Sequence, residues 1–156
     1  TDDLTGVYNK RYLEICLSRL KSNTVIALVD LDNLKMINDT FGHLAGDLVL
    51  QTLTKTMKKH VRRSDDICRY GGDEFVIIFE DCTIENAVEI VEKIRLNVEK
   101  EFIPFDGIQL STSISAGLCT ATKNKDPEKI IACADRYLYK AKEKGKNRIE
   151  FMSLNG

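Results

Sequence analysis

Residues 66 to 80, DICRYGGDEFVIIFE, constrain the fold more than any other stretch of the chain. Two apolar runs flank a Gly-Gly pair, which predicts an antiparallel hairpin with Gly71 and Gly72 supplying φ > 0 turn conformations. Upstream, TVIALVD (24 to 30) is a short continuous apolar run, as expected of a central strand covered on both sides. If that strand pairs beside the hairpin, Asp30 at its end lies near Asp73 at the start of its neighbour.

Helices are legible around these strands. Asn9 is placed to cap a helix in which Leu13, Cys16, Leu17 and Leu20 share a face. Leu50, Leu53, Met57 and Val61 give the spacing of a second helix after NDTFGH. A third, from about Ile84 to Glu99, aligns Ala87, Val91, Ile94 and Val98. IQLSTSISAGLCT alternates as one strand. Asp126 and Pro127 open a last helix that Gly145 closes behind Lys140, Lys142 and Lys144, and RIEFM ends the chain as a strand. The order α-β-α-β-β-α-β-α-β predicts an α+β domain, a mostly antiparallel sheet flanked by helices in a decorated ferredoxin-like arrangement. With 156 residues and no repeat or linker, residues 1 to 156 read as one domain.

Composition narrows the chemistry by exclusion. Basic residues (23) nearly cancel acidic ones (24), so no global field marks a nucleic-acid binder. The lysine-rich end of the last helix lacks the interleaved aromatics of a stacking platform beyond Tyr137 and Tyr139. No apolar stretch approaches the roughly 20 residues of a membrane helix, so no membrane contact is expected of this segment. Cys16, Cys68, Cys82, Cys119 and Cys133 are odd in number and form no C-x-x-C pair. They read as thiols of a cytoplasmic protein rather than a disulfide framework or zinc site.

Two carboxylates converging at a sheet edge repel unless a cation lies between them. A hard divalent ion suits Asp30, Asp73 and the Leu31 carbonyl, since Mg²⁺ takes one or two carboxylates with phosphate oxygens and water. DLDNLKMINDTFGHLAGD (30 to 47) adds the rest of a nucleotide site. Lys35 can reach a phosphate held at Asp30. Asn38 offers an amide donor and acceptor and Asp47 only acceptors, a pair that matches guanine and not adenine. Each acid also has a bland use, Asp30 as a helix cap, Asp73 as a turn filler and Asp47 as a first-turn acid.

These residues resemble the GGDEF-domain family of diguanylate cyclases over nearly the whole chain, through DDLTGVYNKR, DLDNLKMINDTFGHLAGD, RYGGDEF and ADRYLYKAKEKGKNR in order. The resemblance implies a fold like that of polymerase palms and the condensation of two GTP into cyclic di-GMP with release of two pyrophosphates. It implies that Asp30, Leu31 and Asp73 hold Mg²⁺ or Mn²⁺, and that Asn38, Asp47 and His43 line the guanine pocket. Lys35, Lys142 and Lys146 would hold phosphates, Gly71 and Gly72 would let the nucleotide approach, and Asp73 with Glu74 would do proton chemistry. Some family members carry arginine at the position of Lys146. One site binds one GTP, so a C2 homodimer, transient for the isolated domain, is expected, with a regulatory or dimerising segment upstream.

Arg62 and Asp65 stand in an R-x-x-D pattern where the family's inhibitory product site lies, with Lys93 in place of a helper arginine. Three other readings are a non-catalytic receptor for cyclic di-GMP, a GTP-binding regulatory module and a nucleic-acid module.

Overall fold

The structure is a computed structural model that describes residues 1–21, 23–121 and 126–152. Its elements are α1 (Lys10–Leu17), β1 (Thr24–Leu31), α2 (Leu34–Phe41), α3 (His43–His60), β2 (Asp66–Arg69) and β3 (Glu74–Phe79). They continue with α4 (Ile84–Lys100), β4 (Ile103–Phe105), β5 (Ile108–Leu110), β6 (Ile114–Ala121), α5 (Pro127–Glu143) and β7 (Ile149–Phe151). The main sheet runs β2-β3-β1-β6-β7, antiparallel except for β6 and β7, which are parallel. This is the expected α+β architecture with a ferredoxin-like core, β1 lying centrally between β3 and β6.

Strand periodicity splits the core into two layers. Val25, Ala27, Val29 and Leu31 of β1 pack with α2, α3 and α4, while Ile26 and Leu28 pack with α1 and α5. All eight residues of β1 are buried, which explains why its sequence is continuous rather than alternating. Asp30 shares the α5 face with Ile26 and Leu28. Its register partner is Glu74, the first residue of β3, so two acids stand side by side beneath α5.

Capping follows the sequence closely. Asn9 accepts from the Tyr12 N–H and Asp126 from the Glu128 N–H, with Pro127 in the first turn of α5. The helix ends at a left-handed Gly145, φ +120°. Gly117 of β6 lies directly under α5, where a Cβ would overlap the Ala134 carbonyl and the Leu138 amide.

Four expectations are corrected. NDTFGH is not a plain loop: residues 34–41 form α2, broken from α3 by Gly42 at φ +96°. The alternating run from 108 to 120 is not one strand, because Ser111, Thr112 and Ser113 leave the ladder to bind Asp32 and Asn33. Neither Gly71 nor Gly72 takes positive φ. Residues 70–73 instead make a wider connection in which the Tyr70 and Gly71 N–H groups both donate to the Glu74 carbonyl. Finally, Cys119 and Cys133 are bonded as a disulfide joining β6 to α5, with Cα atoms 6.0 Å apart, while Cys16, Cys68 and Cys82 are free thiols. Their separation of 14 residues gives no hint of that proximity.

Candidate active site

The hairpin carries Asp73 to the end of β1, where the Leu31 N–H donates to the Asp73 carbonyl at 3.2 Å. Asp30, only 3 % exposed, faces both Asp73 and the Lys142 ammonium of α5, with which it forms an ion pair. Its Oδ1 is buried without a partner. Burial first, and then the neighbouring Asp73 charge, push the Asp30 carboxyl up to about 7 in spite of Lys142. Glu74 is raised by burial and by the Asp73 charge. Burial works against the Lys142 charge, but Asp30, Glu74 and Asp73 outweigh it and raise the ammonium. Three carboxylates around one ammonium leave the corner short of positive charge.

The chemistry of this donor set fits a hard divalent cation. It offers an unsatisfied carboxylate oxygen on a rigid strand, a second carboxylate on the adjoining turn and no soft ligand. Among the described residues no group of three or more His, Cys, Asp or Glu is arranged to hold a metal. The protein therefore offers a carboxylate pair and leaves other positions to phosphate oxygens and water.

An open cavity of about 630 Å³ spreads from this corner, and Asp30, Leu31, Lys35, Asp73, Lys142 and Lys146 all line it. A neighbouring cavity of about 440 Å³ is lined by Asn38, His43, Asp47 and Gly72, and shares Lys35 and Asp73 with the first. The residues expected to hold phosphates and those expected to read a base thus border two adjoining cavities that share a wall at Lys35 and Asp73. Gly71 and Glu74 line neither cavity; Glu74 lies behind Asp73 in the sheet. A Cβ on Gly72 would meet nothing within 4 Å, so this glycine leaves open space above the turn.

Sequence reasoning missed three supports. Gly46 seats the Asn38 amide: a Cβ there would overlap Asn38 Oδ1, which is buried without a partner. The GHLAGD segment holds that glycine, but its use depends on the approach of α2 to α3. Arg69 donates to the Gly71 and Gly72 carbonyls and reaches Asp2 at 3.1 Å, so it ties the turn to the start of the chain. Asp2 in turn accepts from the N–H and hydroxyl of Thr5. Asp32 accepts from the Ser113 and Ser115 hydroxyls, each at 2.5 Å, and from the Asn147 N–H at 3.0 Å.

Arg62 and Asp65 lie apart, on a cavity of about 590 Å³ that also meets Tyr8 and Lys58. Arg62 forks onto Asp65 at 2.8 to 3.2 Å and caps the Glu80 carbonyl at 2.7 Å. Lys93 is exposed and pairs with Glu89.

The family model for the GGDEF domain of diguanylate cyclases matches residues 1–148, and the chain belongs to that family. It is 38 % identical to the response regulator PleD of Caulobacter vibrioides over 159 residues, covering 96 % of this chain and 35 % of that protein. It is 36 % identical to diguanylate cyclase A of Treponema denticola over 136 residues, covering 86 % of this chain and 37 % of the relative. The chain thus spans about a third of the length of these relatives. The GGDEF domain of DgcB from Caulobacter crescentus, solved in complex with c-di-GMP, superposes with a TM-score of 0.93 at 25 % identity. That alignment covers 97 % of this chain and 94 % of the DgcB chain. No helix among the described residues is long and apolar enough to cross a membrane.

Proposed function

We propose that this chain is a diguanylate cyclase domain that condenses two GTP into cyclic di-GMP and two pyrophosphates. The observation that carries the reading is the corner where Asp30 and Asp73 meet beneath Lys142 and open into a groove lined by Lys35, Lys146, Asn38 and Asp47. The names of the relatives support it.

In this reading Asn38 and Asp47 receive guanine, whose paired N–H donors a carboxylate satisfies. Lys35, Lys142 and Lys146 take the triphosphate, and Lys142 exchanges its pairing with Asp30 for a phosphate oxygen. Two domains meet face to face about a C2 axis, each presenting its 3′-hydroxyl to the other's α-phosphate. A bond forms from that oxygen to phosphorus, the bond to the β-phosphate bridge breaks and pyrophosphate leaves. The hydroxyl proton passes to the Asp73 carboxylate, which borders both cavities, with Glu74 behind it at the head of β3. Asp30, Asp73 and the Leu31 carbonyl would hold a Mg²⁺ or Mn²⁺ ion, which when bound would supply Lewis-acid polarisation and ease deprotonation of the attacking hydroxyl. Developing charge on the phosphoryl oxygens meets the lysines, which the fold holds in place in advance.

The test is incubation of the purified chain with GTP and Mg²⁺, followed by chromatographic separation of nucleotides. Cyclic di-GMP formed by the wild type and lost in Asp73→Asn is the expected result. Nucleotide that binds and is never converted refutes the enzyme and leaves a receptor. Arg62 and Asp65 are assigned to product feedback, with dimers locked in a non-productive pose. Arg62→Ala should then raise the product concentration needed for half-inhibition at least about tenfold, as expected when a charged phosphate contact is lost. Unchanged inhibition counts against the assignment.

A further inference from the structure

Lys146 and Asn147 both occupy the left-handed region, with φ of 64° and 49°, immediately after Gly145 at 120°. Non-glycine residues rarely hold such conformations unless their surroundings enforce them. Here the enforcement comes from two sides. Asp32, at the end of β1, accepts the Asn147 N–H. From α4, Arg95 Nη1 donates to Asn147 Oδ1 at 2.9 Å and to its carbonyl at 3.4 Å, while the Asn147 amide donates to Glu99 at 3.0 Å.

Arg95 is itself fixed before it reaches the loop. Glu92 takes its Nε and Nη2 in a fork at 2.9 and 2.5 Å, Glu99 takes Nη1 at 2.9 Å, and the side chain is only 14 % exposed. A guanidinium locked by two carboxylates of its own helix has one direction left to point, and Asn147 lies there. The residue next to Asn147 is Lys146, which lines the same cavity as Asp30 and Asp73.

We propose that Arg95 is a positioning residue: through Asn147 it holds the left-handed Lys146–Asn147 step that aims the Lys146 ammonium at the substrate phosphates. The inference rests on the GTP-condensing reading above and adds to it a residue of α4 that lines neither cavity of the groove. Arg95 acts on phosphate affinity, and chemistry at the α-phosphate does not depend on it.

The test has two arms and uses the chain as it stands. In the first, amide hydrogen exchange is followed at Asn147 in the wild type, Arg95→Ala and Asn147→Gly, the glycine retaining the left-handed backbone while losing the side-chain bonds. Exchange at residue 147 should quicken about tenfold or more in Arg95→Ala with the rest of the sheet unchanged. Equal protection overturns the clamp. In the second arm, both variants should raise KM for GTP about tenfold with kcat within about twofold. Combining Arg95→Ala with Lys146→Ala should leave KM near that of Lys146→Ala alone, since two residues acting through one contact do not add. Multiplying effects, or a loss confined to kcat, overturn the proposal. A cooperative thermal transition in each variant excludes misfolding as the cause. A wild type that converts no GTP overturns the functional reading, and the exchange arm still decides the clamp.

Discussion

Asp30 and Asp32 stand two residues apart at the end of one strand and meet opposite surroundings. Asp32 has three donors, two serine hydroxyls from β6 and its approach and the backbone N–H of Asn147. Asp30 has one ammonium, a second carboxylate close by and an oxygen with no partner. One acid is a fastener between β1, β6 and the loop after α5. The other is held in a costly state that only a bound cation or proton relieves. The difference teaches which polar group serves the fold and which the fold supports for another purpose.

The sharpest test of this contrast is Asp30→Asn. Turnover should fall about a thousandfold or more, as when a metal-binding or proton-handling group is lost, while thermal stability at pH 8 rises. A variant that is both active and less stable breaks the comparison. Asp32→Ala should do the reverse and destabilise the domain by about 2–4 kcal/mol, because it strands two hydroxyls and an N–H together. Urea unfolding measures it, and a change below about 0.5 kcal/mol would remove Asp32 from the role of fastener.

The next effect is on pH dependence. A carboxyl raised to about 7 in the fold binds its proton more tightly than in the unfolded chain. Its stabilising contribution is complete below about pH 4 and is lost as pH rises through 7. Wild-type stability should decline over that window by on the order of 2 kcal/mol relative to Asp30→Asn. Parallel curves for the two proteins would refute the assignment. The smallest effect is expected at Gly46→Ala. Displacing the Asn38 amide should raise KM for GTP about tenfold, although alanine alone favours helix by roughly 1 kcal/mol. An unchanged KM would separate Asn38 from the base.

The long periodic helices and the three central strands were legible because burial on one or both faces writes itself into spacing. Asn9, Asp126, Pro127 and Gly145 marked helix ends by local chemistry. The acid pair was legible for the same reason: Asp30 lies at the end of β1 and Asp73 in the turn just before its neighbour β3, so pairing alone brings them together. What escaped was held by contacts remote in sequence. The polar run Asn38-Asp39-Thr40 hid α2, which buries only Leu34 and Ile37. Ser111 to Ser113 looked like strand until Asp32 and Asn33 claimed them. Gly46 and Arg95 carry no local signal, since their uses arise only when two helices, or a helix and a loop, come into contact. The Cys119–Cys133 bond was hidden likewise by the fold that brings β6 against α5.

Gly117 has an outcome for how such a domain can be altered. Where α5 crosses Gly117 of β6, main chain meets main chain, and any side chain at that position would push the helix off the sheet. The closest approach of the helix to the sheet therefore depends on that glycine, and the reach of Lys142 toward Asp30 depends on it in turn. A substitution at Gly117 would thus disturb the acid–ammonium corner from a distance, without touching any of its charged groups.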